Sequence, residues 1–105
     1  MYILYIKNIN TFDQIKTGKK TIEVRKLTNF ADKLSNKTFI MFAHQQEYCI
    51  KYITKIVKYD TLIDLLNNTP LIYTNSKLKS IEDAMIHYKK YYKNINKEFC
   101  SIHIK

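Results

Sequence analysis

Gly18-Lys19-Lys20-Thr21-Ile22-Glu23-Val24-Arg25 is the stretch on which the reading of this chain turns, and it holds the chain's only glycine and only arginine. From Lys19 to Lys26, Thr21, Glu23 and Arg25 alternate with Ile22 and Val24. That period of two predicts a half-buried strand with its polar side chains on one face. Gly18 suits the left-handed turn that ends a preceding helix, because it adopts positive φ without a Cβ clash. Glu23 and Arg25 then project to one side, with Lys20 at the strand's mouth, and a carboxylate, a guanidinium and an amine share a polar floor.

Upstream, Tyr2 to Ile6 is short, apolar and β-prone, and reads as a strand. Asn10 or Thr11 is placed to cap a helix that runs to Thr17, with Phe12 and Ile15 as its apolar face. Downstream, Leu27 to Asn36 carries turn and cap residues, with Leu27, Phe30 and Leu34 at helical spacing, and reads as a loop with one helical turn. Thr38 to Ala43 and Glu47 to Tyr59 read as consecutive antiparallel strands, the second long enough to curl around a small barrel. Asp60 or Thr61 caps a short helix bearing Leu62, Ile63, Leu65 and Leu66, after which Asn67 to Lys79 is expected as a long loop. Ser80 and Asp83 open the most regular helix, with Ile81, Ala84, Met85, Tyr88, Tyr91 and Tyr92 spaced to face a core. Phe99 to Ile104 closes as a strand. This order lacks a βαβ repeat and a Gly-rich phosphate loop, so the expected fold is α+β: about three helices around a small, mostly antiparallel sheet or barrel.

The 105 residues fit one domain spanning residues 1–105. At 46% hydrophobic, 13% aromatic and 26% charged residues, the composition is globular and excludes a disordered chain. Tyr2 to Ile6 is too short for a signal segment, and nothing approaches the roughly 20 apolar residues of a membrane span. The expectation is an intracellular, cytoplasmic protein, or a nuclear one if the source is eukaryotic or viral. Cys49 and Cys100 lie inside apolar runs without metal-ligand spacing and are expected as reduced packing residues, although a disulfide between them stays open. No metal and no cofactor is expected.

A net charge of +9 favours a polyanionic partner, since each cation that neutralises a phosphate releases counterions. Because all but one of the basic residues are lysines in a chain rich in Ile, Asn and Tyr, codon bias from an AT-rich genome is an alternative source of that charge. Lys20, Glu23 and Arg25 could hold an anion or a base edge, with Arg25 binding bidentately and Lys20 serving as a point charge or an amine nucleophile. The same trio could equally form an exposed ion pair worth about 0–1 kcal/mol. His44, His87 and His103 lack a carboxylate or cysteine at diagnostic spacing and are assigned no role. Tyr88, Tyr91 and Tyr92 beside Lys89, Lys90 and Lys93 fit either base stacking or a core face with a solvated lysine edge.

The segment Gly18 to Arg25 resembles G-x-K-x-x-E-x-R, the signature of the ASCH domain family, which is related to the RNA-binding PUA fold. The helix before the glycine, the Tyr59-to-Leu66 helix after a long strand, the Ser80 helix start, the Tyr91-Tyr92 pair and the closing Ser-Ile-His-Ile strand extend the likeness over most of the chain. The resemblance implies a PUA-like β-barrel flanked by helices, and a cleft for RNA or a nucleotide-like ligand. The binding set it implies is Gly18, Lys19, Lys20, Glu23 and Arg25, with Gly18 as the positioning turn. Some relatives resemble N4-acetylcytidine amidohydrolases or ribonucleases, and others are interaction modules of coactivators. If this chain were such a hydrolase, Lys20 and Glu23 would carry the catalysis. However, Glu23 stands where the deacylases place a threonine, and their distant acid has no counterpart beyond Glu82 or Asp83.

Overall fold

The computed structural model of the chain describes residues 2–27, 34 and 38–105. The helical turn expected from Leu27, Phe30 and Leu34 lies outside the described residues, apart from Leu27 and Leu34 themselves. Five strands, β1 (Tyr2–Tyr5), β2 (Ile22–Lys26), β3 (Phe39–His44), β4 (Glu47–Tyr59) and β5 (Phe99–Ile104), form one sheet in the order β1-β3-β4-β5-β2. Only the β1–β3 pairing is parallel. β4 pairs with β3 through its first half and with β5 through its second, and a register shift between Ile53 and Lys55 bends it at the changeover. The sheet is thereby curled into a half-barrel, the α+β, mostly antiparallel, PUA-like fold expected.

The four helices are α1 (Ile9–Thr17), α2 (Leu62–Asn67), α3 (Leu71–Thr74) and α4 (Ile81–Lys89). α1 fills the concave side, where Phe12 and Ile15 are fully buried against Leu4, Ile40, Phe42, Ile53 and Ile102. Each such side chain contributes about 1.5–3 kcal/mol through burial. The second core cluster joins α2 and α4 to the other side of β2 and β5, through Leu62, Leu65, Ala84, Tyr88, Val24 and Phe99. Cys100 is buried in the first cluster and Cys49 packs half-buried against it.

Three details differ from the sequence reading. α1 is capped by Asn8, not by Asn10 or Thr11: the extended Asn8 backbone turns its side-chain oxygen onto Asn10 N at 2.9 Å and Thr11 N at 3.2 Å. The expected loop from Asn67 to Lys79 contains α3, which Pro70 opens with a φ of −61° already suited to a helical start. α4 stops at Lys89, where Tyr91 N and Tyr92 N both bond to Tyr88 O at 3.0 Å in a closing turn. The three tyrosines therefore do not share one core face: Tyr88 is buried, Tyr92 is partly buried and Tyr91 is 68% exposed.

Candidate functional site

The turn after α1 decides where the signature residues go. Gly18 sits at φ 84° as the left-handed cap of α1, and its N–H donates to Ile15 O at 3.2 Å. The reversal lets Lys20 N donate to Gln14 O at 2.9 Å, and Thr21 N to Tyr73 O of α3 at 2.9 Å. Lys20 is thus folded under α3, where its Nζ donates to Thr74 O.

From β2, Glu23 reaches the same point. Its Oε1 lies 3.3 Å from Lys20 Nζ and accepts Val24 N–H at 3.2 Å, while its Oε2 accepts from Arg25 Nη2 at 3.1 Å. Lys20 is 5% and Glu23 6% exposed. Lys20 and Glu23 form a buried pair capped by α3 and joined by the partly exposed Arg25, which the surface ion-pair alternative does not describe.

Burial alone would raise the Glu23 carboxyl, but the charges of Lys20 and Arg25 outweigh it and hold the group below the usual carboxylate value. Burial also disfavours the Arg25 guanidinium, and Glu23 reverses that, so its pKa is raised. Glu23 is an acceptor with both oxygens engaged. Arg25 is partly exposed and lines the cleft, with its Nη2 bonded to Glu23.

This network floors a cleft of about 690 Å³, within the roughly 300–1,000 Å³ range of small-molecule sites. Its walls come from the end of β1 and the start of α1, from α3 and the residues after it, and from α4 with Tyr91 and Tyr92. Ser76, which lines an adjoining groove, has its Oγ 3.3 Å from Oε1 of Gln14, a lining residue of the cleft.

On the opposite wall His87 packs edge-on to Tyr88, with ring centroids 4.9 Å apart, and tilted to Tyr91 at 5.3 Å. Tyr92 donates its hydroxyl to Val24 O at 3.4 Å and meets Phe99 edge-on. Burial, and next the charge of Glu23, push the Tyr88 hydroxyl far above its ordinary value, and burial raises Tyr92 too. Both are neutral at physiological pH. Burial and the charges of Lys20 and Lys90 lower His87, which favours its neutral imidazole.

Of the five residues expected to bind, Lys20, Glu23 and Arg25 line the cleft. Gly18 shapes the turn without lining it, and Lys19 lies along the adjoining groove with Asp13 and Thr17, a groove that shares Asn10, Gln14 and Lys77 with the cleft. Glu82 and Asp83 are exposed on the first turn of α4 and do not line the cleft, so Glu23 is the one carboxylate among its described lining residues. Sequence reasoning missed Thr74, which holds Lys20, and the cleft position of His87. It left Tyr88 and Tyr92 between base stacking and a core face, and both line the cleft while packing into the second core cluster. His44 bonds through Nδ1 to Ile6 O and His103 through Nε2 to Ser101 Oγ, both within the sheet. Among the described residues no group of His, Cys, Asp or Glu is placed to hold a metal ion, and no helix is long and apolar enough to cross a membrane.

Comparison with known proteins places this architecture. The solved structure of hypothetical protein PH0355 superposes with a TM-score of 0.85 at 20% identity, covering 99% of this chain and 96% of the other. Protein PF0455 from Pyrococcus furiosus gives 0.74 at 17% identity, with 99% and 94% covered. ASCH from Zymomonas mobilis gives 0.69 at 16% identity, covering 98% of this chain and 65% of that one. No curated protein sequence matches the chain. The sequence pattern of the ASCH domain matches residues 9–104, and the chain belongs to the ASCH domain family.

Proposed function

We propose that the cleft binds RNA or a nucleotide-like ligand, held at its floor by Arg25 and flanked by Tyr88, His87 and Tyr92. The observation that carries this reading is the buried Lys20–Glu23 pair with Arg25 partly exposed beside it. Glu23 holds the guanidinium at 3.1 Å in a cleft with neutral aromatic walls. A fixed guanidinium suits a phosphate or a base edge with adjacent acceptors, and aromatic walls suit a planar ring. The net charge of +9 draws polyanions to such a site.

Hydrolysis at the same cleft has less support. Lys20 Nζ is occupied by Thr74 O and Glu23 at 5% exposure, and the cleft offers no second carboxylate among its described lining residues. The two readings separate in one assay series. Purified protein is titrated with labelled single-stranded RNA and, separately, incubated with RNA and with N4-acetylcytidine. Binding that weakens with salt and with Arg25→Ala supports the proposal. Acetate release or RNA cleavage abolished by Lys20→Ala supports the hydrolase, and no RNA binding even at low salt contradicts the proposal.

A further inference from the structure

The outer face of β1, β3 and the first half of β4 lies on the side of the sheet away from α1. Along β1 and β3, Leu4, Ile40 and Phe42 turn inward to the core, so their neighbours turn outward. The register lines these up in rungs: Ile3 beside Met41 beside Ile50, Tyr5 beside Ala43 beside Tyr48, and Phe39 beside Tyr52. Ile3, Tyr5, Phe39, Tyr48 and Ile50 are 43% to 72% exposed, which is uncommon for a contiguous apolar group on a lone chain.

Three observations say what covers this face. First, Tyr5 belongs both to it and to the wall of the cleft, so the two surfaces are continuous. Second, the small side chain of Ala43 lies in register between the exposed Tyr5 and Tyr48, whose strands stand two spacings, about 10 Å, apart, so both rings are left accessible to a planar partner. Third, no outward residue of these rungs carries a carboxylate, while Lys7 follows Tyr5 at the cleft end. Lys55, exposed and opposite His103 beyond the β4 bend, stands at the other end. A chain of net charge +9 repels a second copy of itself and attracts a polyanion.

We propose that this sheet face is a stacking platform for single-stranded nucleic acid, carrying the nucleotides that flank the one held in the cleft. The inference rests on the RNA-binding reading of the cleft. Exposed aromatics on a sheet stack on unpaired bases without regard to sequence, and the lysines at the ends track the backbone.

The test is fluorescence anisotropy with labelled dodecauridylate and with a uridine dinucleotide, for the wild type, Tyr48→Ala/Tyr52→Ala, Tyr48→Phe/Tyr52→Phe and Arg25→Ala. The expected result is a loss of about 5- to 100-fold for the dodecamer with the alanine pair, retention with the phenylalanine pair, and little change for the dinucleotide. Arg25→Ala is expected to weaken both ligands. Ultraviolet crosslinking of the wild-type complex with a 4-thiouridine oligonucleotide is independent of any folding defect in the variants, and adducts at Tyr5, Tyr48 or Tyr52 are expected. Dodecamer binding that depends on Arg25 but not on the tyrosine pair, with crosslinks confined to the cleft, overturns the platform and leaves the cleft reading standing. A wild-type chain that binds no RNA at low salt overturns both. Sedimentation showing a dimer dispersed by Tyr48→Ala assigns the face to self-association and also overturns the platform.

Discussion

Lys20 and Glu23, three residues apart, meet at 3.3 Å with only 5% and 6% of either residue exposed, and Arg25 closes on the other oxygen of the same carboxylate at 3.1 Å. Two cations around one buried anion leave a net positive site under the cleft. Removing the anion exposes their mutual repulsion.

Glu23→Ala is therefore expected to destabilise the fold by about 3 kcal/mol, as breaking a buried ion pair from one side does. Glu23→Gln, which keeps a carbonyl acceptor, should cost less. Urea unfolding at neutral pH measures both. Equal stability of Glu23→Ala and wild type would mean that the network contributes nothing to the fold.

The same carboxylate sets an acid limit. Its folded-state pKa lies below the unfolded one, despite burial, because Lys20 and Arg25 surround it. The stability it contributes is then complete above the unfolded carboxylate value and is lost as pH falls through the folded one. Urea midpoints collected between pH 7 and pH 3 should fall more steeply for wild type than for Glu23→Gln, and parallel curves would contradict this.

Gly18→Ala separates turn from contact. A Cβ there meets nothing within 4 Å, so the cost is backbone strain at φ +84° alone, about 1–2 kcal/mol. Stability should drop by that amount while ligand affinity, measured on the folded variant, stays within about twofold. An unchanged midpoint would mean that the turn tolerates a side chain.

His87 reports on what enters the cleft. Burial first, then Lys20 and Lys90, depress its pKa. Because the unfolded chain takes up this proton more readily, its contribution to stability falls as pH drops through the imidazole range. An anionic ligand beside the ring favours the charged form, so the His87 pKa followed by NMR should rise on saturation with a nucleotide. A value that does not move would place the phosphate elsewhere.

The trio was legible because a period of two fixes which side chains share a strand face, and the only glycine fixes where the preceding helix ends. The burial of that face was not legible. It depends on α3, four residues long and too short to show any periodicity, which places Thr74 O over Lys20. Tyr88 and Tyr92 were read for their helical spacing, but α4 ends at Lys89, so Tyr92 reaches the cleft from a turn that spacing does not describe. Asn8, Asn10 and Thr11 are all competent caps, and tertiary packing of Phe12 and Ile15 selects the first.

Titration of the isotope-labelled chain with cytidine monophosphate, followed by amide chemical shifts, tests the cleft reading most directly. The account predicts saturable shifts concentrated at Gln14, Lys20 to Arg25, Thr74 and Tyr88 to Tyr92, and their loss in Arg25→Ala. Shifts that cluster away from these residues, or that are unaltered in Arg25→Ala, would contradict it.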